Sequence, residues 1–113
     1  MRETHITGIG NRGPIRLRAV IVGKLAATKA DIPNSRWTVT HIKTCLMIPA
    51  LFPSRRDAIA AAKRLEAALD WNGHVTRLST MTKAERDAIW WGRIWPIVAQ
   101  FRAVSTKWRA SHD

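Results

Sequence analysis

Four of the six tryptophans of this 113-residue chain lie between residues 90 and 109. The segment reads WWGRIWPIVAQFRAVSTKWR and carries four cationic side chains as well. A helical period of about 3.6 residues places its large apolar side chains on one stripe. That stripe consists of Trp90, Ile94, Ile97, Phe101, Val104 and Trp108. The segment is therefore predicted to form one amphipathic helix, with a kink or break near Trp95 because Pro96 lacks a backbone donor.

A ridge beside this stripe, where the apolar face meets the basic one, carries Trp91, Trp95, Arg102 and Arg109. Aromatic surface on this ridge is expected to stay partly exposed, and tryptophan and arginine dominate the hot spots of protein interfaces. With Trp108 from the stripe, the candidate anchors for a protein partner are Trp91, Trp95, Arg102 and Trp108.

Two-residue alternation governs the first half of the chain after an irregular start. Residues 1–13 contain three glycines and little periodicity, which predicts a flexible arm. From Pro14 a two-residue period begins, with Ile15 and Leu17 on one face and Arg16 and Arg18 on the other, and it continues to Val22, which is typical of a half-buried strand. Turn-forming residues over 26–35 precede a second predicted strand at 36–43 and a third at 45–48.

Two capping signals mark the helices. Ser54 and Asp57 open an alanine- and leucine-rich helix that ends by Gly73, and Thr82 with Glu85 opens the helix that continues into the tryptophan-rich segment. The predicted fold class is α+β, with a three-stranded antiparallel sheet, a helix covering one of its faces, and the C-terminal helix. Residues 14–113 are expected to form one domain.

Basic side chains outnumber acidic ones by 19 to 8, a net charge of +11. Residues 1–50 contribute eight bases and two acids, and residues 51–113 eleven and six, so no basic tail accounts for the excess. A folded body with distributed positive charge attracts polyanions, which makes nucleic acid the first partner class and an anionic membrane the second. Solubility and nonspecific attraction remain the plainer alternative.

Signals for catalysis, metals and secretion are weak. The glycines of GIGNRG at residues 8–13 precede a strand, whereas a dinucleotide site needs them between a strand and a helix. The four histidines lack ligand spacing, and the single cysteine excludes an internal disulfide. No apolar signal core or membrane span is present. We therefore expect a cytoplasmic protein without catalytic residues, cofactor or metal.

Several arginines occupy positions that stability alone does not favour. Arg55 and Arg56 fall in the first turn of a helix, where the macrodipole repels cations and a bound phosphate would reverse the sign of the effect. Strand alternation groups further polar side chains on the sheet face predicted to lie opposite the helix. They are Arg16, Arg18, Arg36, Thr38 and Thr40.

The run RWTV at residues 36–39, followed by FPSRRDAIAAAKRL at residues 52–65, resembles the three-strands-then-helix pattern of known DNA-binding domains. Residues 14–71 are similar in this respect to the arm-type domains of phage integrases and to AP2-type domains. In those families the sheet lies against the major groove. The resemblance implies groove or phosphate contacts for Arg16, Arg18, Arg36 and Thr38.

The sequence thus favours a small, non-enzymatic nucleic-acid-binding protein of a phage or mobile element, with DNA favoured over RNA. An alternative is a phage-encoded protein inhibitor of a host defence nuclease, of the anti-CRISPR class, which would bind a nucleic-acid-processing complex through the tryptophans. Insertion of the C-terminal helix in a membrane interface is disfavoured by the capping box and the fold that precede it. Oligomeric state is left open.

Overall fold

Antiparallel strands form most of the first half of the chain. The computed structural model describes residues 2–10, 13–30, 36–71, 73, 77 and 80–106, without the side chains of residues 9 and 10. One sheet takes its five strands in chain order, namely β1 (Glu3–Gly10), β2 (Gly13–Val22), β3 (Leu25–Lys29), β4 (Trp37–His41) and β5 (Leu46–Met47). A second, two-stranded sheet pairs β6 (Ala50–Leu51) with β7 (Val104–Ser105).

The five-stranded sheet curls, so that β1 and β5 come within 8 Å of each other. Its inner face carries small and apolar side chains, among them the buried Leu17, Ala19 and Ala26. The hydroxyls of Thr28 and Thr40 are also buried there and hydrogen-bond each other at 2.8 Å. Small side chains suit this face because the strands close around it.

The outer face of the sheet packs against α1 (Arg55–Ala68). Ser54 caps the helix by accepting a hydrogen bond from the Asp57 amide at 3.1 Å, as its sequence predicts. The helix buries three alanines and one leucine against the sheet, and these are Ala58, Ala61, Ala62 and Leu65. Alanine allows a close approach of helix and sheet, and strand residues of the same core include Val20, Val22, Leu25, Ala27 and Val39.

A second helical segment lies against α1. It consists of α2 (Lys83–Ile89), a π turn (Trp90–Ile94), α3 (Trp95–Val98) and a 3-10 turn (Ala99–Phe101). The capping box of Thr82 and Glu85 is present with both of its hydrogen bonds at 3.1 Å, confirming the prediction, and these bonds lower the pKa of Glu85. In the π turn the amide of Trp95 donates to the carbonyl of Trp90. This wider turn directly precedes Pro96, whose ring would press on the carbonyl of Gly92 in a regular helix.

The α+β prediction is confirmed, but the strand count was too low. Residues 3–10, predicted to be part of a flexible arm, form β1 and pair with β2 along their whole length. Residues 25–29, mostly predicted as turn, form β3 between β2 and β4. The third predicted strand is present as the two-residue β5.

The prediction of one helix from residue 90 to residue 109 is wrong. The helical segment ends at Phe101, Arg102 takes a left-handed conformation with φ of 65°, and Val104–Ser105 join β6. The amide of Thr106 extends this pairing by donating to the Pro49 carbonyl at 2.9 Å. Valine and threonine are poor helix formers, so strand pairing supplies backbone hydrogen bonds that the helix would otherwise provide. Residues 107–109 lie outside the described residues.

Candidate functional site

Arg16 and Arg18 project from the outer face of the sheet, the face that α1 covers. They alternate with the inward Leu17 and share their face with Val20, which packs in the core beneath the helix. The prediction that these arginines lie opposite the helix is therefore wrong. Alternation correctly put Arg16 and Arg18 on one face, but curling of the sheet buries the inner face, which leaves their outer face to the helix.

Glu3 joins Arg18 to the start of α1. Its carboxylate accepts two hydrogen bonds from Nη2 of Arg18, at 3.0 and 3.1 Å, and lies 3.2 Å from Nε of Arg55. Nε of Arg18 also donates to this carboxylate at 3.3 Å, and the Arg18 guanidinium sits 5.7 Å from the ring centroid of Trp37. Two guanidinium groups from different elements thus converge on one anionic group.

Three more cations surround this point. Arg16 lies two residues before Arg18 on the same face, and Arg56 follows Arg55 in the first turn of α1. Both are exposed, and neither forms an ion pair with the described residues. Lys29 pairs across the sheet with Trp37, the residue beneath Arg18. We call the set Arg16, Arg18, Lys29, Arg55 and Arg56 the basic surface.

Backbone groups strengthen the attraction of this surface for anions. The first amides of a helix lack carbonyl partners within the helix, and the macrodipole places partial positive charge there. In α1, the Ser54 hydroxyl accepts a hydrogen bond from the Asp57 amide, and the Ser54 carbonyl accepts one from the Ala58 amide. The Glu3 carboxylate contacts the side chain of Arg55, the first residue of this helix, at 3.2 Å. The start of a helix can bind an anion through its free amides and the helix dipole alone.

Thr38 and Arg36 do not belong to the basic surface. Thr38 is 2% exposed, and its hydroxyl donates to the Ala50 carbonyl at 2.7 Å, so the predicted contact with a phosphate or groove is ruled out in this fold. The Thr38 hydroxyl therefore links β4 to the segment that leads from β5 into β6. Arg36 is half-buried, and its carbonyl pairs with the Ala30 amide, so continuation of the ladder puts its side chain on the Thr38 side of β4.

The predicted aromatic ridge is present in part. Trp91 and Trp95 are half-buried, and their ring centroids lie 6.0 Å apart. Trp90, from the predicted stripe, is 4% exposed and lies 5.8 Å from Trp91 and 6.0 Å from Trp95. Arg102 is exposed just beyond the helical segment. Trp108, the fourth candidate anchor, lies outside the described residues.

Sequence reasoning missed Lys29 because it lies in a segment read as turn. The signal that could have revealed it is the run LAATK at residues 25–29, whose alternation is weak because alanine and threonine suit both faces of the curled sheet. Among the described residues, no group of three or more histidine, cysteine, aspartate or glutamate side chains could hold a metal ion. None of the described helices has the length and apolar character needed to cross a membrane.

Comparison with known proteins found no matching family model, no matching curated protein and no matching solved structure. The resemblance of residues 14–71 to integrase arm-type and AP2-type domains therefore stays a prediction. Within the described part of the chain, the basic surface offers the most specific chemistry.

Proposed function

We propose that this chain is a non-enzymatic nucleic-acid-binding protein that holds a phosphate backbone on the basic surface. The surface joins the β1–β2 hairpin to the first turn of α1. The resemblance to integrase arm-type domains favours DNA over RNA. Such binding does not require contacts to the base edges, because contacts to phosphate supply most of the affinity in nonspecific complexes.

One observation carries the proposal. Arg18 and Arg55, from a strand and a helix, already hold an anionic group between them in the Glu3 carboxylate, at 3.0 and 3.2 Å. A phosphate resembles a carboxylate in accepting paired guanidinium donors, and it carries more acceptor oxygens. A phosphate that displaced Glu3 would meet both guanidinium groups and the positive end of α1. Arg16, Arg56 and Lys29 would contact neighbouring phosphates.

Salt is expected to weaken the complex steeply. Occupation of four or five phosphates by the basic surface predicts a slope of about −4 in a plot of log affinity against log salt, so that doubling the salt lowers affinity about 16-fold. Fluorescence anisotropy of a labelled duplex of about 20 base pairs, titrated at several salt concentrations, measures this slope. A slope near zero would contradict backbone binding. The same titration with duplex RNA compares the two nucleic acids.

Replacing Glu3 by glutamine should raise nucleic-acid affinity. The amide is close to isosteric with the carboxylate but uncharged, so a phosphate no longer competes with a resident anion for Arg18 and Arg55. We expect about tenfold tighter binding at constant salt, equivalent to about 1.4 kcal/mol. Stability should fall by at most about 1 kcal/mol, because the ion pairs are partly exposed.

The matched control for this variant is Asp87→Asn, which removes a carboxylate paired with Lys83 at 2.8 Å on a different helix, α2. Both variants raise the net charge of +11 by one. Anisotropy titrations should show tighter binding for Glu3→Gln and at most a twofold change for Asp87→Asn, about 0.4 kcal/mol. Equal gains in both variants would mean that only net charge matters and that no anion site exists between Arg18 and Arg55.

A further inference from the structure

A cleft at the β1–β2 hairpin adjoins the basic surface. Its volume is about 380 Å³, within the range of sites that hold small molecules. It is lined by His5, Ile6, Thr7, Pro14, Ile15 and Arg16. One of these residues, Arg16, belongs to the basic surface. The cleft therefore continues the basic surface along the hairpin.

Three polar side chains of the cleft lie on the outer face of the sheet. Thr7 pairs with Arg16 across the hairpin. His5 pairs with Arg18, two residues further along each strand, so these side chains share one face. His5, Thr7 and Arg16 are exposed, and within the described part of the chain their side chains form no hydrogen bond or ion pair. Imidazole, hydroxyl and guanidinium groups all donate hydrogen bonds, so the cleft presents donors that the described chain does not itself use.

We infer that this cleft binds a phosphate group of the nucleic acid together with its sugar, and that His5 takes up a proton on binding. This role of the cleft rests on the proposed function, since the basic surface would bring the backbone to it. The guanidinium of Arg16, the imidazolium of His5 and the hydroxyl of Thr7 would donate to phosphate oxygens. Pro14 and Ile15 would contact the C–H surface of the sugar.

Charged groups flank His5 on β1 and β2. Arg18 lies opposite it on β2, and Arg16 lies diagonally across the pair. Glu3 precedes His5 by two residues on the same face, but its carboxylate is engaged by Arg18 and by Arg55 of α1. The two residues of β5, which comes near β1, are apolar. A phosphate in the cleft would therefore supply an anionic partner that His5 lacks in the described part of the chain.

Protonation of His5 would link occupation of the cleft to pH. Histidine changes its charge between about pH 5 and pH 8, and a phosphate against the ring favours the charged imidazolium. Binding is then coupled to proton uptake, so affinity rises as the pH falls. One added charge in contact with a phosphate at a surface strengthens binding about fivefold. We expect wild-type affinity to rise by this factor between about pH 8 and about pH 5.5.

Anisotropy titrations of a labelled duplex of about 20 base pairs, at constant salt and at both pH values, test this coupling. His5→Gln keeps a polar side chain that cannot take up a proton, so its affinity should rise less than about twofold over the same range. An equal rise in wild type and His5→Gln would overturn the inference and leave the proposed function standing. Failure of the wild-type protein to bind the duplex would overturn both.

His5→Lys supplies the charge permanently and should bind the duplex about fivefold more tightly than wild type at about pH 8. Gln100→Lys is the matched control, because Gln100 is exposed on the 3-10 turn and the substitution adds the same charge. The control should strengthen binding by less than about twofold. Equal gains in the two lysine variants would show that only net charge matters and would overturn the inference. Thermal melting checks that all three variants remain folded.

Discussion

Replacing Arg16 and Arg56 together by glutamate is expected to weaken nucleic-acid binding by about 100-fold at low salt. Each arginine is exposed on the basic surface, and a charge-assisted hydrogen bond to a phosphate contributes about 1.5–3 kcal/mol. The glutamates would also repel neighbouring phosphates. The log–log salt slope should become shallower by about two, since two cations no longer release counterions. Anisotropy titration of a labelled duplex measures both effects.

The fold should survive this double substitution, which separates binding from stability. Arg16 contacts solvent, and Arg56 lies in the first turn of α1, where glutamate interacts better with the macrodipole than arginine by up to about 1 kcal/mol. The melting temperature should therefore stay level or rise. A drop in melting temperature of many degrees would contradict the exposed placement of these side chains.

Lys43→Glu with Arg64→Glu provides the matched control. Both residues are exposed, one in the turn after β4 and one on α1, and two charge reversals lower the net charge of +11 by four in either double variant. We expect the control to weaken binding by less than about fivefold, through long-range attraction. Comparable losses in the two double variants would show that the charge is diffuse and that the basic surface has no special role.

Helix starts were the features most readily predicted from the sequence. The hydroxyl of Ser54 and the reciprocal bonds of Thr82 with Glu85 occur where short-range spacing placed them. Such signals depend on backbone groups within a few residues, so no tertiary information is needed to read them. The far end of the second helical segment was not predictable in this way, because Val104–Ser105 leave the helical pattern to pair with Ala50–Leu51.

Glycine misled the interpretation of the N-terminal residues. Gly8 is buried in β1, and a side chain at this position would collide with the Leu17 side chain on β2. The glycine that suggested flexibility thus serves a close approach between paired strands. β3 was missed for a related reason, since its buried alanines and threonine lack the contrast between apolar and polar faces that marks a strand.

Part of the basic surface could be predicted from the sequence. Periodicity placed Arg16 with Arg18, and the capping signal placed Arg55 with Arg56 at a helix start. Their convergence on Glu3 was not visible, because it depends on which sheet face the helix covers and on the pairing of β1 with β2. Alternation identifies the residues that share a face but not the element that packs on it. Thr38 was assigned wrongly because a buried threonine with a backbone partner has the same pattern as an exposed one.

Truncation of Trp90 to alanine is expected to lower the free energy of unfolding by about 3–5 kcal/mol. The ring is 4% exposed, belongs to the core cluster, and contacts both Trp91 and Trp95. Its removal would leave a large cavity beneath the π turn, where the helix already departs from regular geometry. Urea denaturation followed by circular dichroism measures the loss. Trp95→Ala should cost less than about 2 kcal/mol, because that ring is only half-buried.

Trp90→Phe distinguishes packing from hydrogen bonding at the same position. The indole Nε1 of Trp90 is buried and has no hydrogen-bond partner among the described residues. Burial of an unpaired donor costs about 1–3 kcal/mol, so phenylalanine removes a penalty while it keeps most of the ring volume. We expect the loss for Trp90→Phe to be less than half the loss for Trp90→Ala. Equal losses for the two variants would mean that the indole nitrogen contributes to stability. A loss below about 1 kcal/mol for Trp90→Ala would contradict the placement of Trp90 in the core.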